Sequence, residues 1–196
     1  GNELAGTVDA VGDGVETIAV GDRVYVNSRE LPQRGGGYAE AMVVPAAAAF
    51  AMPDNVDAAQ AVALGNYQLA WLLLNYASTP RAGDRILVHA AAGGVGSALI
   101  QVAKSMGLTV FGIAGSKAKS EYVMQQGADA VIDRNSEDIG ARTADLTGGE
   151  GVDFIYDSVA GPGLSNDFAM LAPMGTVVMF GYLGGDPDPD LFAHMR

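Results

Sequence analysis

From residue 84 onward, short apolar runs alternate with amphipathic stretches, and this alternation limits the fold more than any other feature of the chain. The runs are RILVHA (85–90), TVFGIA (109–114), AVID (130–133), DFIYD (153–157) and TVVMFG (176–181). Their cores are nearly continuous in Val, Ile, Leu, Phe and Met, the pattern of strands covered on both faces. Between the runs, residues 95–106, 117–126, 137–146 and 163–171 read as helices. In the first of these, Val95, Leu99, Val102, Ala103 and Met106 share one face. Strand–helix repeats joined by right-handed crossovers predict an α/β fold with a doubly wound parallel sheet. A full sheet of this kind has about six strands. The chain stops soon after the fifth run, so the expectation is a fragment that lacks the C-terminal edge.

Before residue 55 the pattern is different. Short β-like pieces at 5–11, 22–26 and 38–44 are separated by Gly12-Asp13-Gly14 and Gly35-Gly36-Gly37, which predicts a small β unit. Met52-Pro53-Asp54-Asn55 marks a turn, and a long helix is expected from Asp57 to Tyr76. The 196 residues therefore divide at 1–55 and 56–196. No apolar stretch reaches the roughly 18 residues of a transmembrane helix, and no signal peptide is visible, so cytoplasm is the default expectation.

Charge and residue usage exclude several function classes. Net charge is −12, from 23 acids and 11 bases, which opposes binding along a nucleic-acid backbone. Against that background the lysines stand out: there are only Lys104, Lys117 and Lys119, two of them in one segment. Cysteine is absent, which removes disulfides, thiolate metal sites and a Cys nucleophile. His89 and His194 are far apart in sequence, so no multi-His metal cluster is expected, and each reads as a packed or exposed side chain.

The junction Ala91-Ala92-Gly93-Gly94-Val95-Gly96 lies between the first run and the first helix. Gly93 would let the backbone approach a phosphate, and Gly96 would let the helix pack closely on its strand. The helix N-terminus favours an anion there. A packing turn is the bland alternative. An NAD site usually carries an acid about 20 residues downstream, at the end of the second strand. Counting 18 residues from Gly96 reaches Ala114, followed by Gly115-Ser116-Lys117-Ala118-Lys119. With no carboxylate to repel a 2′-phosphate, and with Ser116 and Lys119 to bind it, the expected cofactor is NADPH. Arg134, after the third strand, would close the same pocket.

The chain also resembles the medium-chain dehydrogenase/reductases, in their zinc-independent quinone oxidoreductase (zeta-crystallin-like) and enoyl reductase branch. GNELAGTVDAVGDGVETIAVGDRV (1–24), GGYAEAMVVPA (36–46), VHAAAGGVGSALIQVAK (88–104) and GVDFIYDSVAG (151–161) carry the likeness in the expected order. It implies part of a GroES-like β domain at 1–55 and a Rossmann NADP-binding domain at 56–196. It also implies cofactor contacts at Ala92, Gly93, Gly94, Val95, Gly96, Gly115, Ser116, Lys119, Arg134, Ser158, Phe180, Gly181, Tyr182 and Leu183. Ser158 and the Phe180-Gly181 backbone would lie near the nicotinamide. Zinc-dependent relatives have a His where this chain has Asn2, so no zinc is expected.

Hydride transfer without a Lewis acid suits a quinone or an α,β-unsaturated carbonyl. An enoyl-thioester reductase module is the near alternative, and a non-catalytic NADPH-binding sensor or structural protein is the alternative of another class. A small-molecule substrate and a homodimer are the expected partners, with neither nucleic acid nor membrane. No catalytic residue is assigned. Tyr25, Tyr38, Tyr67 and Tyr182 each carry a phenol that could protonate an enolate, but packing is the commoner role for each. Leu69-Ala70-Trp71 replaces a Thr-containing segment of the family, while nearby Asn66 and Tyr67 are weak candidates for lining the site.

Overall fold

The computed structural model describes residues 1–27, 31, 35–187, 189 and 191. His194 lies outside them. The chain divides into two compact units, Gly1–Asn66 and Tyr67–Arg196.

In the first unit, β1 (Glu3–Thr7), β2 (Arg23–Asn27) and β3 (Ala49–Ala51) form an antiparallel sheet in that order. The expected strand at 38–44 does not form, and the third strand lies later, at Ala49–Ala51. Alternating polarity makes a strand only where a neighbouring edge accepts it. Here 38–44 joins neither outer edge of the β1-β2-β3 sheet.

The long helix expected from Asp57 to Tyr76 is broken. Asp57 starts it with a reciprocal cap: its Oδ1 accepts from the Gln60 N–H at 2.9 Å, and Gln60 Oε1 accepts from the Asp57 N–H at 3.4 Å. The helix α1 (Ala58–Ala61) then gives way to α2 (Leu64–Leu72) and a π-helical turn at Leu73–Ala77. At the break Ala63 N–H donates to Gln60 O, and Asn66 N–H donates to Ala63 O. These three-residue steps interrupt the four-residue ladder.

The second unit follows the predicted alternation closely. Its strands are β4 (Arg85–Val88), β5 (Thr109–Ala114), β6 (Ala130–Asp133), β7 (Val152–Asp157) and β8 (Leu171–Met179). Its helices are α3 (Gly94–Ser105), α4 (Lys117–Gln125), α5 (Ile139–Thr147) and α6 (Leu164–Met170). The five strands are parallel, in the order β6-β5-β4-β7-β8. Strand order therefore reverses between β4 and β7, the place where doubly wound sheets open a crevice at their carboxyl ends.

One correction concerns β8, which begins at Leu171 rather than 176 and ends before Phe180. Its register shifts between Val152 and Phe154. Met174 (φ +67°) and Gly175 absorb the irregularity, with Gly175 packed too closely on Ala172 O and Val152 O to carry a Cβ.

Two apolar layers sandwich the sheet. Leu73, Leu74, Leu99, Ile100, Ala103 and Val123 cover one face, and Met170 with Ile139 and Leu146 covers the other. Polar bonds pin the first layer. Tyr67 OH donates to Gln101 Oε1 at 2.7 Å, and Gln101 Nε2 donates to Gln126 Oε1 at 2.6 Å. The Tyr156 hydroxyl lies 2.6 Å from Ser78 Oγ, and burial pushes its pKa up to about 12 although the Ser78 bond opposes the shift. Among the described residues, no helix is long and apolar enough to cross a membrane.

Candidate functional site

The chain leaves β4 through His89 and Ala90, and Ala90 takes a left-handed φ of +47°. Two backbone bonds hold the turn: Ala91 N–H donates to Ile113 O at 3.0 Å, and Gly93 N–H donates to Ala90 O at 2.8 Å. Then α3 begins at Gly94, with Gly93 as its cap and no acid in its first turn. A Cβ on Gly96 would lie 2.5 Å from Ala90 O and 2.8 Å from Ala91 Cα, so only glycine lets α3 come this close to the turn. Gly94 is exposed and Val95 is half-buried in the first turn, whose N–H groups have no acceptor within the helix itself.

Ala92 and Gly93 face Ala114, Gly115, Lys119 and Arg134 across a pocket of about 210 Å³ at the end of β5. The Arg134 guanidinium lies over Gly115, where an added Cβ would sit 2.9 Å from its Nε. Arg134 N–H donates to Ala114 O at 3.0 Å, and Asn135 Nδ2 donates to Gly115 O at 2.7 Å, fixing the two loops together. Ser116 caps α4, its Oγ accepting from the Lys119 N–H at 3.3 Å, which leaves its hydroxyl proton to give.

The lysines divide by role. Lys104 is held by Asp129 at 2.8 Å and by Leu108 O at 3.1 Å, and Lys117 faces Glu121 at 4.0 Å. Lys119 is the lysine that lines the pocket. A larger cavity, about 610 Å³, lies within the first unit among Leu4, Val8, Val24, Val26 and Met42. The charged residues of its described lining are the acids Glu3, Asp9 and Glu40, which would repel a phosphate.

Ser158, Phe180, Gly181, Tyr182 and Leu183 come together elsewhere, at the ends of β7 and β8. Phe180 N–H donates to Asp157 O at 2.9 Å, Leu183 N–H to Ser158 O at 3.3 Å, and Gly184 N–H to Val159 O at 2.7 Å. Close packing accompanies these bonds: a Cβ on Gly181 would lie 2.6 Å from Ser158 O. Phe180 packs against the core, while Tyr182 and Leu183 are exposed.

At the β4–β7 reversal stands a group that sequence reasoning missed. His89 Nε2 lies 2.9 Å from Asp167 Oδ1, and His89 Nδ1 lies 3.8 Å from Asp157 Oδ1. Asp157 and Asp167 are each 1% exposed. Burial, the largest influence on His89, works against its charge. The hydrogen bond and charge of Asp167 and the charge of Asp157 outweigh it, raising the His89 pKa above 6.5 although Arg134 opposes them. Burial also raises the pKa of Asp167, against the bond and charge of His89. His89 directly follows β4, but the 78 residues to Asp167 hide their contact from any spacing rule. Asn135 was likewise overlooked, beside the expected Arg134.

The family and fold have clear parallels among known proteins. Residues 94–195 match the family described as zinc-binding dehydrogenase, and residues 1–54 match the alcohol dehydrogenase GroES-like domain. Quinone oxidoreductase from Rattus norvegicus is 37% identical over 185 residues, covering 94% of this chain and 55% of that protein. The chain thus spans about half the length of the curated relatives it matches. The crystal structure of Escherichia coli quinone oxidoreductase complexed with NADPH superposes with a TM-score of 0.83 at 31% identity, over 96% of this chain and 57% of that one. The CurK enoyl reductase gives 0.80 at 28% identity, over 98% and 56%. With a GroES-like segment followed by a Rossmann-type parallel sheet, the chain belongs to the medium-chain dehydrogenase/reductases, in their quinone oxidoreductase and enoyl reductase branch.

Proposed function

We propose that the chain carries the NADPH site of a reductase acting on quinones or α,β-unsaturated carbonyls, with residues 1–55 belonging to its catalytic domain and 56–196 to its cofactor domain. The observation that carries this reading is the pocket at the end of β5, where Lys119 and Arg134 surround Gly115 and Ala114 stands in place of an acid. The residues fit a dinucleotide. The first turn of α3 would take the pyrophosphate on its backbone N–H groups, with Gly93 letting the chain come close. Lys119, Arg134 and the Ser116 hydroxyl would take the 2′-phosphate. Asn135 holds Gly115 in place beneath Arg134. Ser158 and the Phe180–Leu183 backbone would border the nicotinamide.

When bound, NADPH supplies a hydride. The protein's part is to orient the cofactor and to exclude water around it. Zinc is not part of this reading, because Asn2 stands where zinc-dependent relatives have His and the chain has no cysteine. The likeness to an enoyl reductase supports a second substrate class, an enoyl thioester, at the same site.

The test is the affinity for NADPH and NADH, measured by nicotinamide fluorescence. NADPH is expected to bind about tenfold tighter, a difference of about 1.4 kcal/mol, and Lys119→Ala to remove most of that preference. Equal affinities in the unmodified protein would overturn the 2′-phosphate assignment. NADPH oxidation is then followed with a quinone and with an enoyl thioester. Firm NADPH binding without turnover of either would leave a nucleotide sensor in place of an enzyme.

A further inference from the structure

We propose that His89 is a positioning residue for the turn Ser158–Gly161: an imidazolium between Asp157 and Asp167 holds the carboxylate that caps this turn, so that dinucleotide affinity depends on one proton kept in the cluster. The proposal rests on the function proposed above, which puts the nicotinamide against this turn.

The Asp157 carboxylate is committed to the turn. Its Oδ1 accepts from the Val159 N–H at 2.6 Å and its Oδ2 from the Ala160 N–H at 3.0 Å. Those bonds hold Ala160 at φ +51° and ψ −126°, a conformation that costs an L-residue energy and persists only under constraint. Gly161 follows at φ +69°, so close to the 180–184 loop that a Cβ would lie 2.6 Å from Gly184 O. A shift of Asp157 would therefore move both walls of the proposed nicotinamide site.

Asp157 sits beside a second buried carboxylate, and among the described residues Asp167 Oδ2 has no hydrogen-bond partner. Two buried carboxylates with no positive charge between them are costly. His89 supplies that charge, with one ring nitrogen toward each. This is the arrangement of a bridging imidazolium. One ring nitrogen and a carboxylate oxygen from each aspartate also lie within 4.8 Å of one another, so a chelated cation is the competing occupant that the test must separate from the proton. The charged groups facing His89 are Asp157 at the end of β7, Asp167 on α6 and Arg134 after β6. The first two favour the proton and the third opposes it.

The sign follows from the direction of the shift. A histidine whose pKa is raised in the folded protein contributes fully below its ordinary value of 6.5. That contribution is lost as pH rises through the folded value. Dinucleotide affinity is therefore highest on the acid side and falls as His89 loses its proton. The 2′-phosphate of NADPH, with a pKa near 6, gains charge over the same range and pulls the other way. NADH lacks that group and gives the cleaner reading.

The experiment follows the His89 imidazole by NMR in the intact protein across pH, free and saturated with NADH, with His89→Gln to assign the signal. The expected result is a pKa above 6.5 in the free protein, raised further by NADH. By reciprocity, NADH affinity falls about tenfold for each unit of that further rise. His89→Gln should flatten the NADH profile, and Asp167→Asn should move its inflection to lower pH. Exchange of the Val159 and Ala160 amide protons should quicken relative to other amides as His89 deprotonates.

A His89 pKa at or below 6.5, or one that NADH saturation does not move, would overturn the proposal. So would loss of the pH dependence on adding EDTA with its return on adding Zn²⁺, which would make the cluster a metal site. Failure to bind either dinucleotide at any pH would defeat the function proposed above. The His89 titration and the two amide exchange rates, read without dinucleotide, would still decide whether the clamp exists.

Discussion

At the β5–β6 side of the carboxyl edge, Lys119 and Arg134 stand exposed around a glycine, and among the described residues no carboxylate pairs with either. At the β4–β7 side, Asp157 and Asp167 are each 1% exposed and share His89. Exposed cations keep their hydration, so the folded protein loses little by leaving them without a partner, and an arriving anion gains from both. Buried carboxylates have no such freedom and must be satisfied by the chain itself, here by two turn amides and an imidazole. One side thus keeps its charges in solvent, and the other uses them to hold its own backbone. Substitutions on the two sides should accordingly separate binding from stability.

The largest expected effect is on the buried side. Gly161→Ala places a Cβ against Gly184 O at a residue with φ +69°, and should cost roughly 2–4 kcal/mol of stability. Urea denaturation should show a lower midpoint with an unchanged slope. Next comes Arg134→Ala on the exposed side. It should weaken NADPH binding about tenfold, while leaving the melting temperature and NADH affinity nearly unchanged. A fall in stability as large as that of Gly161→Ala would break the contrast. The smallest effect belongs to Lys117→Ala. Lys117 precedes Lys119 by two residues, which puts it on the other side of α4; it is 91% exposed and faces Glu121 at 4.0 Å. Neither affinity nor melting temperature should change measurably. If its loss matched that of Lys119→Ala, the anion site would be a diffuse charge and not a pocket.

The Lys119–Arg134 side is open to reading from sequence because its determinants are local. TVFGIA and AVID become β5 and β6 with the predicted bounds, since each is an unbroken apolar run limited by turn residues. Ala92, Gly93, Gly115, Lys119 and Arg134 then converge because consecutive strand ends of a parallel sheet lie side by side. What was hidden depends on contacts distant in sequence. His89 meets Asp167 only because β4 neighbours β7, and α6 follows from β7. In the first unit, YAEAMVV has the polarity of a strand, yet polarity says nothing of whether an edge is free to take it. The break after Ala61 is equally hard to read, because the apolar stretch AVAL is compatible with either a continuous helix or a tightened turn.

The chain Tyr67–Gln101–Gln126 links α2, α3 and the end of α4 across one face of the sheet. Losing any member breaks a bond that its half-buried partner must then make to water. These helices should therefore open together, as one cooperative unit with a shared amide-exchange free energy. The opposite face, where α5 and α6 meet mainly through apolar contacts, would open on its own schedule. Because α6 carries Asp167, slow breathing of that face would reach the Ser158–Gly161 turn while the seat of Lys119 on α4 stays closed. The two ends of a bound dinucleotide would then be released at different rates.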